Sequence, residues 1–309
     1  MFRRSLMLLK SLVLCTFLAS AASLFAAADK PASLVKLSAA EVADRNVAAR
    51  GGLQAWRAVQ TMSLEGKLGA GGNQRAALQV PAPNPKNTSL IAPRRRAEEV
   101  QLPFRMELKR PRKMRFELEF NGKTAVQVYD GANGWKLRPF LNRLEVEPYS
   151  ADEMKIASTQ ADLDGPLVDY AAKGTRVELA GTEKVEGREN YKLKLTMKSG
   201  QAIHVWIDAH TFLETKIEGQ AKRLDGTDHP VEVYFRDYRP VEGLQIPYVL
   251  ETKVLPVQKT ALGFRDTPVP LERITIEKVL VNPKLEESRF TKPVIGGSKP
   301  IISAAASGK

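Results

Sequence analysis

Histidine is the side chain most readily turned to acid–base or metal chemistry near neutral pH, and this chain of 309 residues has three of them, His204, His210 and His229. None has a second histidine two or four positions away, so the ligand pair that a zinc site draws from one strand or helix is missing. The acidic candidates are Asp162, Asp164 and Asp169. Such a cluster suits a hard cation, but Asp164 before Gly165-Pro166 also reads as a helix cap, with its neighbours solvated. Asp208 opens the turn Asp208-Ala209-His210-Thr211, where an aspartate accepts hydrogen bonds from the backbone just ahead of it. That competes with any role as a catalytic carboxylate. No Gly-x-Ser-x-Gly elbow and no phosphate-cradling glycine loop occurs. With no nucleophile, metal set or acid–base pair assembled, the expectation is a protein that is not an enzyme and uses no cofactor.

The one cysteine, Cys15, lies in an N-terminal apolar run. Arg3, Arg4 and Lys10 come first, then Ser11 to Phe25, then Ala26-Ala27-Ala28, the order of a secretory signal with a small-residue cleavage site. About 15 apolar residues is short of the roughly 20 that span a bilayer. Leu14 is bulky where lipid modification of Cys15 would want a small residue. The reading is a signal peptide over 1–28 and an exported, periplasmic chain from Asp29 on, without disulfides or thiol chemistry. Its formal charge of +12 falls to +9 once the three basic signal residues are gone. A basic exported protein meets anionic lipid and envelope polyanions.

The elements that would hold any site are mostly strands. Ser38-Ala39-Ala40-Glu41 has capping-box spacing and predicts a helix to about Arg50, stopped by Gly51-Gly52. A short helical turn then puts Leu53, Trp56 and Val59 on one side. From Met62 to Leu68, and again from Phe104 through Phe120, apolar and polar residues alternate with period two, the mark of strands with one dry face. Asn121-Gly122 is the preferred pair for a two-residue hairpin turn. Thr124 to Val128 and Trp135 to Pro139 continue the meander. Gly69 to Gln101, rich in glycine and proline, reads as an inserted loop that ends in Arg94-Arg95-Arg96. Without interleaved aromatics that cluster does not read as a nucleic-acid patch.

Ser150 and Glu153 predict a second capped helix to Gln160, and Asp162-Leu163-Asp164-Gly165-Pro166 a third one ending at Gly174. Alternation resumes at Thr175 and recurs to Val281, giving ten to twelve strands in all. Helices that interrupt a sheet, rather than alternate with strands, exclude a parallel α/β fold. The expected fold is mainly β (α+β): one large curved antiparallel sheet forming an open, unclosed β-barrel, with a helical lid and an N-terminal helix. A sheet of that many strands curls. The organisation is one domain over 29–290 carrying the 69–101 insertion, then a flexible tail over 291–309.

Several stretches resemble the outer-membrane lipoprotein-sorting proteins, the periplasmic carriers with the LolA/LolB-like fold. They are Gly51 to Trp56, Leu108-Lys109-Arg110-Pro111 with Met114 to Glu117, and Tyr129-Asp130-Gly131 to Gly134-Trp135. Asp164 to Leu167, Tyr191-Lys192-Leu193, Val205 to Asp208 and Thr211-Phe212-Leu213 complete the set. The resemblance implies an unclosed β-barrel, a helical lid and a hydrophobic cavity that accepts lipoprotein acyl chains. Burying sixteen carbons at about 0.8 kcal/mol each offers on the order of 12 kcal/mol.

Inward alternation then nominates the cavity lining: Phe104, Met106, Phe116, Leu118, Val126, Val128, Trp135, Leu193, Leu195, Val205 and Ile207. Plain core packing against the helices explains each of these equally well. The leading reading is a monomeric carrier of lipid or lipoprotein acyl chains. The alternative is an envelope-associated module docking on anionic lipid or polysaccharide through Arg94-Arg95-Arg96 or Lys109-Arg110.

Overall fold

Turn chemistry sets the register of the first hairpins. Asn121 and Gly122 both take the left-handed conformation (φ 49° and 69°), so Phe120 stands directly opposite Lys123. This is the two-residue loop whose twist matches that of its strands. The computed structural model describes residues 36–71, 99–139, 143–222, 228–255 and 272–294. The expected signal peptide, Arg94-Arg95-Arg96 and residues 295–309 of the tail lie outside the described residues.

Six strands form the first half: β1 (Thr61–Gly71), β2 (Glu99–Lys109), β3 (Lys113–Phe120), β4 (Lys123–Tyr129), β5 (Gly134–Arg138) and β6 (Arg143–Pro148). Seven form the second: β7 (Arg176–Val185), β8 (Arg188–Thr196), β9 (Ala202–Asp208), β10 (Glu214–Lys222), β11 (Asp228–Val241), β12 (Leu244–Val254) and β13 (Glu272–Val281). All thirteen join one antiparallel sheet in the order β6-β5-β4-β3-β2-β1-β13-β12-β11-β10-β9-β8-β7. The chain lays down one edge strand by strand, crosses to the far edge, and returns until β13 pairs with β1. β6 and β7 are the two edges. Their pairing would make a ring, and without it the sheet is not closed into a barrel. Charged residues and a bulge between Leu179 and Gly181 guard the β7 edge.

The helices are few. α1 (Ala39–Ala49) begins at the expected capping box, where Ser38 and Glu41 each accept from the other's backbone N–H. It buries Val42, Ala43, Asn46 and Val47. α2 (Leu53–Ala58) buries Trp56, and α3 (Ala151–Gln160) carries a second capping box between Ser150 and Glu153.

Three expectations change. The strands β1 and β2 stay paired to Gly71 and Glu99, so the inserted excursion shortens to 72–98, outside the described residues. β6 was not anticipated, although Leu144 and Val146 alternate with Arg143, Glu145 and Glu147 as a strand requires; the run is only six residues long and ends at Pro148. The third helix, over 162–174, does not form: the segment is a series of turns. Gly165 (φ 76°) and Asp169 (φ 52°) are both left-handed there, which a right-handed helix cannot absorb.

Candidate functional site

Directly opposed residues in an antiparallel pair share a face, so the register sorts the expected lining. Phe104 faces Leu118 and Met106 faces Phe116 across β2 and β3. This inner face packs against Val47, Trp56, Val59, Ala157 and Leu163 of the helices and the turn segment. On β4, however, Val126 lies opposite Glu117 and Val128 opposite Arg115, while Ala125 and Gln127 take the inner positions. Trp135 pairs with Val128 and follows it. The single-face assignment is therefore corrected at Val126, Val128 and Trp135, which form a separate outer cluster with Leu137 and Val146. A two-residue turn exchanges odd and even positions between its strands, and that exchange is the physical reason.

Leu193, Leu195, Val205 and Ile207 do lie on the inner face, but all four are fully buried beneath Leu37, Val42 and Ala43 of the α1 region. They are core. Phe104 is also buried, with its ring stacked 5.8 Å from that of Phe116. Met106, Phe116 and Leu118 are half-covered. Sequence reasoning missed the residues that join them. Register continues the half-covered row through Leu64 and Leu68 on β1, Ile274 on β13 and Leu250 on β12. The signal was available, since each of these sits on the apolar parity of its strand.

This strip crosses five adjacent strands, roughly 19 Å at ~4.8 Å per spacing. β1 and β13 approach closely within it. A Cβ on Gly66 would lie 2.1 Å from the Thr275 carbonyl oxygen, so only glycine fits beside the bulge there.

At the helical end of the strip, charge pins the cover. Arg110 Nη2 donates to Asp164 at 2.8 Å and to the Trp56 carbonyl at 2.9 Å, while its Nε donates to the Val59 carbonyl at 2.7 Å. Arg50 stacks 4.3 Å over Trp56, donates to the Asp164 carbonyl at 2.9 Å and pairs with Glu214 at 3.3 Å. Lys173 bridges Asp162 (2.8 Å) and Asp164 (3.6 Å). Arg57 holds Asp169 with two bonds, at 2.9 and 2.6 Å.

The acidic cluster is thus neither a cap with solvated neighbours nor a cation cradle, because each carboxylate already has a cation. Burial alone would raise the Asp164 carboxyl, but Arg110 and Lys173 outweigh it and hold it below the usual range. At Asp162 burial prevails, aided by the neighbouring Asp164 charge, and the carboxyl is pushed up.

Other candidates resolve similarly. Asp208 accepts from the backbone of His210 (2.9 Å) and Thr211 (2.8 Å), the expected turn role. His204 bonds Glu218 at 2.7 Å, His210 sits in the exposed turn, and His229 falls on β11. No group of three or more potential metal ligands occurs among the described residues. Two clefts lie away from the strip. One of about 570 Å³ separates Val47, Ala48 and Leu53 from Leu167, Tyr170 and Ala171. The other, about 290 Å³, lies among Glu186, Arg188, Glu214 and Arg236.

Among solved structures, a LolA superfamily protein from Nitrosomonas europaea superposes with a TM-score of 0.50 at 11% identity, covering 83% of this chain and 99% of that one. A DUF1329 family protein from Desulfovibrio piger gives 0.48 at 14% identity, covering 82% and 97%. A Vibrio parahaemolyticus domain named for outer membrane lipoprotein sorting gives 0.47 at 10%, covering 82% and 96%. The first of these likenesses shows the fold, a LolA-like open barrel. No family model and no curated protein matches the sequence.

Proposed function

We propose that this protein is a periplasmic carrier or binder of lipid, holding an acyl chain of a lipid or lipoprotein along the half-covered inner strip. The observation that carries the reading is that strip: a continuous apolar row across β3, β2, β1, β13 and β12 which the helices leave half-open. One leaflet's acyl chain spans about 15 Å, and the strip offers about 19 Å. A trough open on one side buries about half of the chain, roughly 6 kcal/mol of the 12 available. That corresponds to dissociation constants between millimolar and micromolar unless the cover closes further. The reading requires neither catalysis nor a cofactor.

Native mass spectrometry of the exported protein, solvent extraction for lipid, and titration with a fluorescent fatty acid test it. Wild type takes up the probe, and Leu118→Asp, which puts a carboxylate on the strip, loses about tenfold in affinity or more. A clean apo mass together with no probe uptake would sink the carrier reading. Ionic strength separates it from the alternative, because docking on anionic lipid weakens steeply with salt and burial of an acyl chain does not.

A further inference from the structure

The two ends of the inner strip differ in polarity. Toward β8 the inner positions stay apolar, with Leu250 facing Phe235 and Ile217 facing Val205. Val205 and Leu193 are then fully buried beneath Leu37, Val42 and Ala43, so that end is dry and capped. Toward β6 the same face turns polar within one strand spacing. Half-covered Phe116 stands opposite exposed Gln127, Gln127 opposite Lys136, and Lys136 opposite Glu147. At the hairpin, Phe120, 37% exposed, stands opposite exposed Lys123.

The cations at this end are unequally served. Lys136 is answered by Glu153 of α3 at 2.5 Å, and Arg138 Nη2 donates to Glu147 at 2.8 Å. Arg138 Nε, however, is buried without an acceptor, which costs free energy until one is supplied. Among the described residues Lys123 Nζ reaches only the Pro139 carbonyl, at 3.5 Å. Glu145, the other acid whose alternation puts it on this face, is on the edge strand β6, two spacings or about 10 Å from β4.

Register brings the unserved donors together. One step beyond the Val126–Leu137 pair, Arg138 stands beside Ala125, diagonal to both Lys123 and Gln127. Diagonal neighbours lie about 7–8 Å apart, and Ala125 between them has only a methyl group. From β4 to β12 the inner face crosses five spacings, about 24 Å. A tail of about 15 Å laid against the dry end therefore leaves room for a head on β4.

We propose that the lipid is an anionic amphiphile, its tail directed toward α1 and its carboxylate or phosphate received by Lys123, Gln127 and Arg138. The proposal rests on the acyl-chain reading and adds to it the class of head group and the direction of the chain. An anionic oxygen gives Lys123 and Arg138 the acceptor they lack, in charge-assisted bonds that a neutral ester cannot match.

The experiment uses the full exported chain and a bound fluorescent fatty acid, displaced by monomeric hexadecanoic acid, its methyl ester or hexadecyl phosphate. The expected result is that the acid and the phosphate each bind wild type about tenfold or more tighter than the ester, and the tighter of the two names the head. In Lys123→Glu/Arg138→Gln that preference should fall to near one. In Lys184→Glu, which reverses an exposed charge on β7, it should persist, so net charge alone is not its source. Equal affinity of wild type for acid, phosphate and ester would overturn the proposal and leave the carrier reading standing. A preference that survives in the double variant would overturn it too. Failure of the protein to take up any of these probes would sink the carrier reading and this one with it. The wild-type comparison decides the matter even if the double variant does not fold.

Discussion

Replacing Asp164 with asparagine tests whether the cover over the sheet is held by charge. Its carboxylate is almost wholly buried, with Arg110 at 2.8 Å and Lys173 at 3.6 Å. Asp164→Asn keeps the shape, removes the charge, and turns an amide donor toward the cations. Removing one partner of a buried pair costs about 3–5 kcal/mol. Arg110 keeps the carbonyls of Val59 and Trp56, and Lys173 keeps Asp162 and the Gly165 carbonyl, which places the cost near the lower end. At about 2–4 °C per kcal/mol for a domain of this size, the melting temperature falls by roughly 6–12 °C. Thermal unfolding followed by circular dichroism measures it.

The sign with pH is fixed by the same contacts. A carboxyl held below its unfolded value, about 3.9, contributes stability that is present above that value and is lost as pH falls through the folded one. Wild type and Asp164→Asn should therefore differ most near neutrality and converge as the solution is acidified below about pH 4. A melting temperature unchanged at pH 7, or a gap that widens in acid, would refute the reasoning.

The remaining predictions are local. Gly66→Ala drives a Cβ against the Thr275 carbonyl and, at 2.9 Å, the Ile276 Cα, so β1 and β13 must part. Urea unfolding should show a loss at or above the top of the roughly 1–3 kcal/mol range for overpacking. Ser150→Ala deletes the hydroxyl that accepts from Glu153 N–H at 3.3 Å, which costs about 1 kcal/mol. It should appear as faster hydrogen exchange in the first turn of α3, with the sheet unchanged. Val128→Asp, on the outer face, should lower stability sharply because Val128 is fully buried. Fatty-acid affinity per folded molecule should stay at the wild-type value, in contrast to Leu118→Asp.

Local rules made much of this fold legible. Both capping boxes, the Asn121-Gly122 turn and the backbone-binding role of Asp208 follow from one or two residues acting on their own neighbourhood, and the structure has all of them. The inner-face lining was harder, because parity must be carried through each turn. Asn121-Gly122 reads as a two-residue turn, and counting across it puts Ala125, not Val126, on the face of Phe116 and opposite Leu118, so the parity of β4 was legible in the turn itself. The burial of Leu193, Leu195, Val205 and Ile207 under α1 was not legible, since alternation shows which side is dry but not what lies on it. Nor was the fate of Asp164. Asp-Gly-Pro is a good local cap, and only the distant Arg110 and Lys173 redirect it.

The order in which the strands are laid down leaves the β1–β13 ladder as the joint between two meanders. Everything from β1 to β6 is contiguous in the chain, as is everything from β7 to β13, and the covalent link between them is the stretch from α3 through Lys173. Cleavage of that connector would leave two complementary fragments zipped together by one pair of strands, with α1, which belongs to the first fragment, clasping β8 and β9 of the second. The molecule can therefore be cut in two without severing a single hydrogen bond of the sheet.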